Sequence, residues 1–576
     1  MPKLTNAVQP SSTTRRKFLQ GLVMGSVAGA IAPHVNAQQH RLTQAVRGNP
    51  REITGPEVEL VISETTVNIT GEQRIATTVN GSLPAPTLRF REGDDVTIRV
   101  TNHLNVPTSI HWHGIILPYQ MDGVPGISFD GIAPGETFVY QFKLQQSGTY
   151  WYHSHSGFQK VTGLYGALII EPKEKEIYAV ERDHIIQLAD WSDEDPMRVF
   201  SKLKVQSDMY NFNQPTIGEF FKDVANNGIS VALSNRRMWQ QMRMNPTDLA
   251  DLSASTLTFL LNGHTSDENW NALGKPGERV RLRFINTSSN TLFDVRIPSL
   301  VMQVVQADGQ NVKPVDIEEF RFGPGETYDV IVEPTAQAHT LFAQSIDRTG
   351  FASASLVAKQ GSRASIPAMD EAQPLSMTDM MGAMTMERGT DHSNHSSSLS
   401  TPSTQVRHAS TEYGASVDAR IDTPRLNLDD PGIGLRNNGR RVLTLADLRA
   451  LETLDNSVPP TREIELHLTG NMERYSWSLD GLEYRDSTPI HMRKGERVRI
   501  ILQNDTMMIH PMHLHGMWSD LENEHGELLS RRHTILVQPA QRISFLTTPE
   551  DAGLWAWHCH LMFHMDAGMF RKVIVS

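Results

Sequence analysis

Only one cysteine, Cys559, occurs in 576 residues, so no internal disulfide holds the fold and the thiol needs another explanation. Long apolar runs are also missing. The nearest candidate, residues 21–33, is too short and too rich in Gly and Ala for a helix of about 20 apolar residues, so the mature form is expected not to span a membrane. There is no excess of basic residues. With 53 Lys and Arg against 65 Asp and Glu, the formal charge is −12, which argues against nucleic acid as a partner, since binding it needs a basic surface. Extended amphipathic helical patterns are scarce. Short alternating runs bounded by Gly, Pro and Asn abound instead, the pattern of an all-β chain of antiparallel sandwiches. The length suggests roughly three or four domains at ~150 residues each.

The first residues read as an address. Thr14-Arg15-Arg16-Lys17-Phe18-Leu19 precedes the mildly apolar run, and Val35-Asn36-Ala37 resembles a small-residue cleavage site. Paired arginines in this setting are the twin-arginine export pattern, so residues 1–37 are expected to be a signal peptide, the export machinery a partner and the periplasm the destination. Removing them takes away Lys3, Arg15, Arg16 and Lys17 and no acid, which moves the charge from −12 to −16.

One sentence of sequence is written three times. Residues 93–102, 277–286 and 495–504 each begin at a Gly-acid turn and end at an Asn nine residues later. A second turn follows each: Pro134-Gly135-Glu136-Thr137, Pro324-Gly325-Glu326-Thr327 and the weaker Pro539-Ala540-Gln541. The expectation is three homologous β-sandwich domains at 50–173, 180–360 and 456–576. The intervening stretch 361–455 is different. Residues 361–412 are rich in Ser, Thr, Met and His and are expected to be disordered or loosely held. Thr444-Leu445-Ala446-Asp447 is a capping box that should open a short helix through Leu448 and Leu451.

Histidines cluster in the first and last repeats only. The clusters are His111-Trp112-His113, His153-Ser154-His155, His510-Pro511-Met512-His513-Leu514-His515 and His558-Cys559-His560-Leu561-Met562-Phe563-His564. Histidines in the middle repeat occur singly, His184 and His264 among them, and these two read as polar loop residues. Alternation along a strand puts both imidazoles of each His-x-His pair on one face. Four such pairs supply eight imidazoles, enough for three coppers at a domain interface. The same alternation turns Cys559 away from His558 and His560. Cys559, His510 and His564 with Met569 are then the His₂Cys set with weak axial thioether of a blue-copper centre.

These motifs, in this order and spacing, resemble the multicopper oxidases, the laccase-like three-cupredoxin enzymes, over essentially the whole mature chain. The resemblance implies three consecutive cupredoxin-like Greek-key β-sandwich domains. It also implies four copper ions: one type 1 (His510, Cys559, His564, Met569), one type 2 (His111, His513) and two type 3 (His113, His153, His155, His515, His558, His560). Dioxygen is the implied acceptor, reduced to water by four electrons that leave a donor singly. Asp122, in Met121-Asp122-Gly123, occupies the place of an acid near the cluster in relatives, and it reads equally as an Asp-Gly turn. Met565 stands where some copper-efflux relatives carry a proton-delivering acid. That role passes to Asp566 or is absent.

The twin-arginine leader, the Met/His-rich insert, residues 442–449 and the ending 564–571 resemble the periplasmic copper-resistance oxidases of the CopA type. Met369, Met377, Met380, Met381, Met384 and Met386, followed by His392 and His395, supply soft donors suited to Cu(I) capture. Met507, Met508, Met512, Met517, Met562 and Met565 crowd the third and fourth motifs, mostly as packing. Three readings follow: oxidation of Cu(I) to Cu(II) for copper resistance, oxidation of small phenolic donors, or copper sequestration with incidental oxidase activity.

Overall fold

The computed structural model describes residues 43–48, 50–242, 245–382 and 403–576. The paired arginines and the cleavage site, together with Met384, Met386, His392 and His395, lie outside the described residues. No helix among the described residues is long and apolar enough to cross a membrane.

Six sheets form three sandwiches, each a six-stranded sheet over a five-stranded one. The thrice-written sentence has the same job in each. The strands Asp95–Asn102, Val280–Asn286 and Val498–Asn504 lie inside the six-stranded sheets. Each runs parallel to a long preceding strand, Glu57–Asn68, Arg182–Trp191 or Arg462–Asn471, and antiparallel to the strand after the second turn. The sheets are therefore mixed, not purely antiparallel as expected. A strand that crosses between sheets before returning comes back beside its neighbour in the same direction.

The terminal Asn of each repeat has a structural cause. Asn102, Asn286 and Asn504 are fully buried, and each Nδ2 donates to two loop carbonyls: Val106 and Ile132, Thr291 and Phe322, Met508 and Val537. Each Oδ1 accepts the amide two residues on, from Leu104, Ser288 or Thr506. Losing one such side chain strands several buried polar groups at about 1–3 kcal/mol apiece. The second turn needs a left-handed residue, with φ +78° at Gly135, +96° at Gly325 and +53° at Ala540, so the third copy pays strain for its missing glycine.

Three helices not expected from the alternating runs occupy the loop after Arg182–Trp191: Pro196–Val205, Ile217–Asn227 and Ile229–Met242. Their signals are local. Asp195 caps the first, with Pro196 at its start, and Thr216 with Glu219 forms a reciprocal capping box. The described part of the stretch after the second sandwich, as far as residue 382, is also more ordered than expected, and residues 383–402 lie outside the described residues. Arg296 donates to the Ala368 carbonyl at 2.9 Å and Leu375 N to the Pro246 carbonyl at 2.8 Å. A short helix, Met377–Met381, follows, with Met380 buried in the core. Low hydrophobicity did not prevent order because polar anchors on the sandwich replace a core of its own. The capping box at Thr444 forms, closing a single turn, Leu445–Asp447, that ends at Leu448.

Buried charges join the sandwiches. Arg532, with no exposed side-chain surface, pairs with Asp308 at 3.0 Å and Glu326 at 2.6 Å across the second and third. Thr149 of the first donates to Asp329 of the second at 3.0 Å.

Candidate metal centres

Strand register brings the histidine motifs together. His111–His113 lies antiparallel to Gly148–His153, with His111 opposite His153 and His113 opposite Trp151. His510–Leu514 lies antiparallel to Gly553–Cys559, with His513 opposite His558 and Met512 opposite Cys559. Alternation then sorts the faces. Trp112 enters the core of the first sandwich and Trp557 and Cys559 that of the third, while the histidines flanking them face the gap between the two.

In that gap eight imidazoles meet across the two sandwiches. The rings of His113 and His513 stack at 3.8 Å, those of His111 and His515 are 4.1 Å apart, and His515 Nε2 is 3.0 Å from His558 Nε2. Potential donor atoms of His113, His153 and His560 lie within 4.8 Å of one another, as do those of His111, His155 and His515. Outward nitrogens of five of the rings are occupied by backbone carbonyls or Asp122, while His113 Nδ1 has no partner. Nδ1–H of His111, His153, His513 and His558 donates to the carbonyls of Asp122, Ser154, His533 and Cys559. His515 Nδ1 meets Asp122 Oδ2 at 3.0 Å. Inward Nε2 atoms of His111, His113, His153, His155, His513 and His560 are buried without any partner. Burial, with repulsion from neighbouring imidazoles, pushes the pKa of His113, His155, His513 and His515 well down. Neutral imidazoles with fixed tautomers and orphaned inward lone pairs fit metal ions.

The second site lies inside the third sandwich. His510 Nδ1 and His564 Nδ1 stand 3.5 Å and 3.8 Å from Cys559 Sγ and 3.2 Å from each other. Here the tautomer is inverted, because the far nitrogens are the ones held: Thr506 Oγ1 is 2.7 Å from His510 Nε2, and Asp251 Oδ2 is 3.0 Å from His564 Nε2. Trp477 stacks on His564 at 3.9 Å. Met569 is fully buried, and its carbonyl accepts the Cys559 amide at 3.1 Å. Burial pushes the Cys559 thiol up. A soft thiol facing two imidazole lone pairs in an apolar core is a donor set for copper.

Models of the multicopper oxidase family match residues 61–175, 182–361 and 457–576. A "Copper resistance protein A homolog" of Pseudomonas syringae pv. tomato is 50% identical, the match covering 98% of this chain and 100% of the relative. "Copper resistance protein A" of Escherichia coli is 48% identical over 98% of this chain and 99% of its own. The chain belongs to the multicopper oxidase family. As such it is a copper-dependent oxidoreductase that uses dioxygen. Among solved structures, the laccase from Botrytis aclada has a TM-score of 0.63 at 20% identity, covering 92% of this chain and 88% of that one. A multi-copper oxidase from Pseudomonas thermotolerans has a TM-score of 0.58 at 20% identity, covering 91% and 100%. These two likenesses concern the fold.

Of the other candidates in this multicopper oxidase, some stand where the sequence suggested and others do not. Asp122 is buried, with Oδ1 3.3 Å from His111 Nδ1 and Oδ2 on His515. Asp566 is not at the cluster. It is exposed at the end of the Met562–Asp566 helix, its charge opposed by Lys204 and Arg485, so geometry gives it no part in proton delivery there. Met507, Met508, Met512, Met517 and Met562 pack in the core. Met380 does too, and Met381 is partly buried against it, so neither presents a free thioether, whereas Met369 is 36% exposed. His184 lies in a strand, its Nε2 on the Leu273 carbonyl at 2.7 Å.

Four neighbours were invisible in the motifs. Lys160 is buried over the Trp151 ring, with Nζ 3.3 Å from His560 Nδ1. His533 is a ninth imidazole, grouped with His113 and His513. Asp251 and Asp248, from the loop before the Thr258–Leu261 strand, are buried near Tyr475. Each is a single residue brought in from another sandwich or a turn, with no spacing pattern to announce it.

Proposed function

We propose that this multicopper oxidase is a periplasmic cuprous oxidase of copper resistance, converting four Cu(I), four protons and one dioxygen into four Cu(II) and two waters. It would hold four coppers: type 1 at His510, Cys559, His564 and Met569; type 2 at His111 and His513; and the type 3 pair at His113, His153, His155, His515, His558 and His560. Bound copper supplies one-electron redox couples that let single-electron donors serve an acceptor needing four. The chain's own residues do the rest. Cys559 and His558 are bonded neighbours, so the two sites are joined through a few covalent bonds. Asp122 fixes the His515 ring and is the acid nearest the cluster, positioned to hold and pass a proton. Buried walls of imidazole and Trp151 exclude bulk water.

The observation that carries the Cu(I) reading is where the Met-bearing segment is anchored. Leu375 N bonds the Pro246 carbonyl, in the same loop that sets Asp251 on His564, and Met377 follows two residues later. His564 itself has no exposed surface, so an electron reaches it through the side chains that cover it, of which Asp251 is one. The "Copper resistance protein A" relatives agree with the reading. A second reading, oxidation of small phenols, has one observation in its favour: a cleft of about 820 Å³ lined by Trp239, Leu249 and Leu375 beside the same loop. Dioxygen uptake by copper-loaded protein with Cu(I) and a phenol side by side tests the choice. A phenol preferred at equal driving force would overturn the cuprous assignment.

A further inference from the structure

A second group of imidazoles and carboxylates converges away from the copper motifs. His408 and Glu412 come from the segment joining the second and third sandwiches, with Glu412 in the Ser410–Tyr413 turn. His467 is on the Arg462–Asn471 strand, and Asp505 directly follows Val498–Asn504. Glu412 Oε2 lies 2.7 Å from His408 Nδ1 and 3.0 Å from His467 Nδ1. Asp505 Oδ2 lies 2.8 Å from His467 Nδ1 and 3.6 Å from His408 Nδ1. All four side chains are at most 4% exposed.

The remaining atoms of His467, Asp505 and Glu412 are hydrogen-bonded from outside the cluster. His467 Nε2 meets Glu465 at 2.9 Å, and His408 Nε2 has Asp422 at 3.3 Å. Ile421 N and Gln503 Nε2 donate to Asp505 Oδ1, and Ala409 N donates to Glu412 Oε1. An imidazole whose far N–H faces a carboxylate is how metal-bound histidines are commonly oriented, and His467 has that arrangement, while His408 Nε2 is buried without a hydrogen bond. Two neutral imidazoles and two carboxylates also neutralise a divalent charge.

We propose that His408, Glu412, His467 and Asp505 form a further metal site, closed to solvent, for a divalent borderline ion of the Zn²⁺ or Cu²⁺ kind, pinning the connecting segment to the third sandwich. An N₂O₂ set in which each residue offers one atom suits such ions. The site is independent of the copper centres and of the donor oxidised there. Its rival occupant is a proton. Against burial, which lowers it, bonds from Asp505, Glu412 and Glu465 push His467 up to about 11 in the metal-free cluster. Occupancy would also fix the base of the loop whose Thr506 holds His510.

Zn²⁺ is the probe. Full-length, copper-loaded protein is equilibrated with Zn²⁺, freed of excess and analysed for metal. Wild type should retain one zinc per chain beyond its copper, with His408→Gln and Glu412→Gln at least about 10-fold weaker in affinity. Unchanged blue absorption and copper content certify the variants' fold. Should a variant fail to fold, crystals of zinc-treated wild type decide, with an anomalous peak at the zinc edge among the four side chains. No zinc retained by wild type, undiminished zinc in the variants, or no such peak would overturn the proposal and leave a protonated latch.

Discussion

Replacing Asp122 by Asn tests the chemistry of the interface most directly. The carboxylate is fully buried, 3.0 Å from His515 Nδ1 and 3.3 Å from His111 Nδ1. Asn keeps the shape and still offers an oxygen to the His515 N–H, so the ring should keep its tautomer. What is lost is a charge-assisted hydrogen bond, about 1.5–3 kcal/mol against 0.5–1.5 for a neutral one, and the ability to carry a proton. The first loss is roughly 1–2 kcal/mol of ring orientation, felt as about 5- to 30-fold weaker metal retention. The second is the larger, because a positioned acid contributes typically about 10²–10⁴-fold. Turnover at neutral pH should therefore fall about 100-fold, equivalent to about 2.7 kcal/mol of barrier. The assay is dioxygen uptake at saturating donor, with copper per chain and blue absorption matched to wild type. A fully loaded Asp122→Asn protein turning over within twofold of wild type would refute the proton role and leave Asp122 as the acceptor of an Asp-Gly turn.

Other expectations can be checked alongside. Cys559→Ser should abolish the intense blue absorption and turnover while the eight interface imidazoles still retain copper, and metal analysis with absorption spectra reads both. Met→Leu at residues 369, 377, 384 and 386, sparing the packed Met380 and Met381, should raise the half-saturation for Cu(I) severalfold and leave a small organic donor's kinetics alone; unchanged Cu(I) kinetics would return the segment to the status of a linker. Burial raises the Asp430 carboxyl, but Arg436 and Arg425 overcome it and hold the group down to about 2. This depressed value contributes about 2 kcal/mol above pH ~4 that is lost as pH falls through 2. Asp430→Asn should then be less stable than wild type in denaturant at pH 7 and indistinguishable from it near pH 2. Lys at both Arg15 and Arg16 should strand precursor in the cytoplasm, since the guanidinium pair is the recognised feature, as cell fractionation would reveal.

How far the molecule could be read from its residues depended on whether a feature repeats. The three Gly-to-Asn sentences were legible because one buried Asn must satisfy the same two carbonyls in every sandwich. His-x-His pairs were legible because a period of two is the geometry of a strand. Lys160 reaches His560 across 400 residues of sequence, and Asp251 reaches His564 across 313. Such partners leave no periodic trace, since the third dimension alone makes them neighbours. Composition misled in the connecting segment, where few large apolar residues suggested looseness. In its described part the order comes from ion pairs such as Asp379 with Arg436 and from Ser376 and Asp379 capping the short helix, which hydrophobicity does not register.

The imidazole gap has a consequence for how the protein comes into being. Half of its rings are translated between residues 111 and 155 and the other half between 513 and 560. No nascent or truncated chain short of the last fifty residues possesses the pocket, however well its first two sandwiches fold. Contacts so distant in sequence also form late. Metal uptake at the gap is therefore a test of assembly: a molecule that holds its metals there has been synthesised past His560 and has closed its first sandwich on its third.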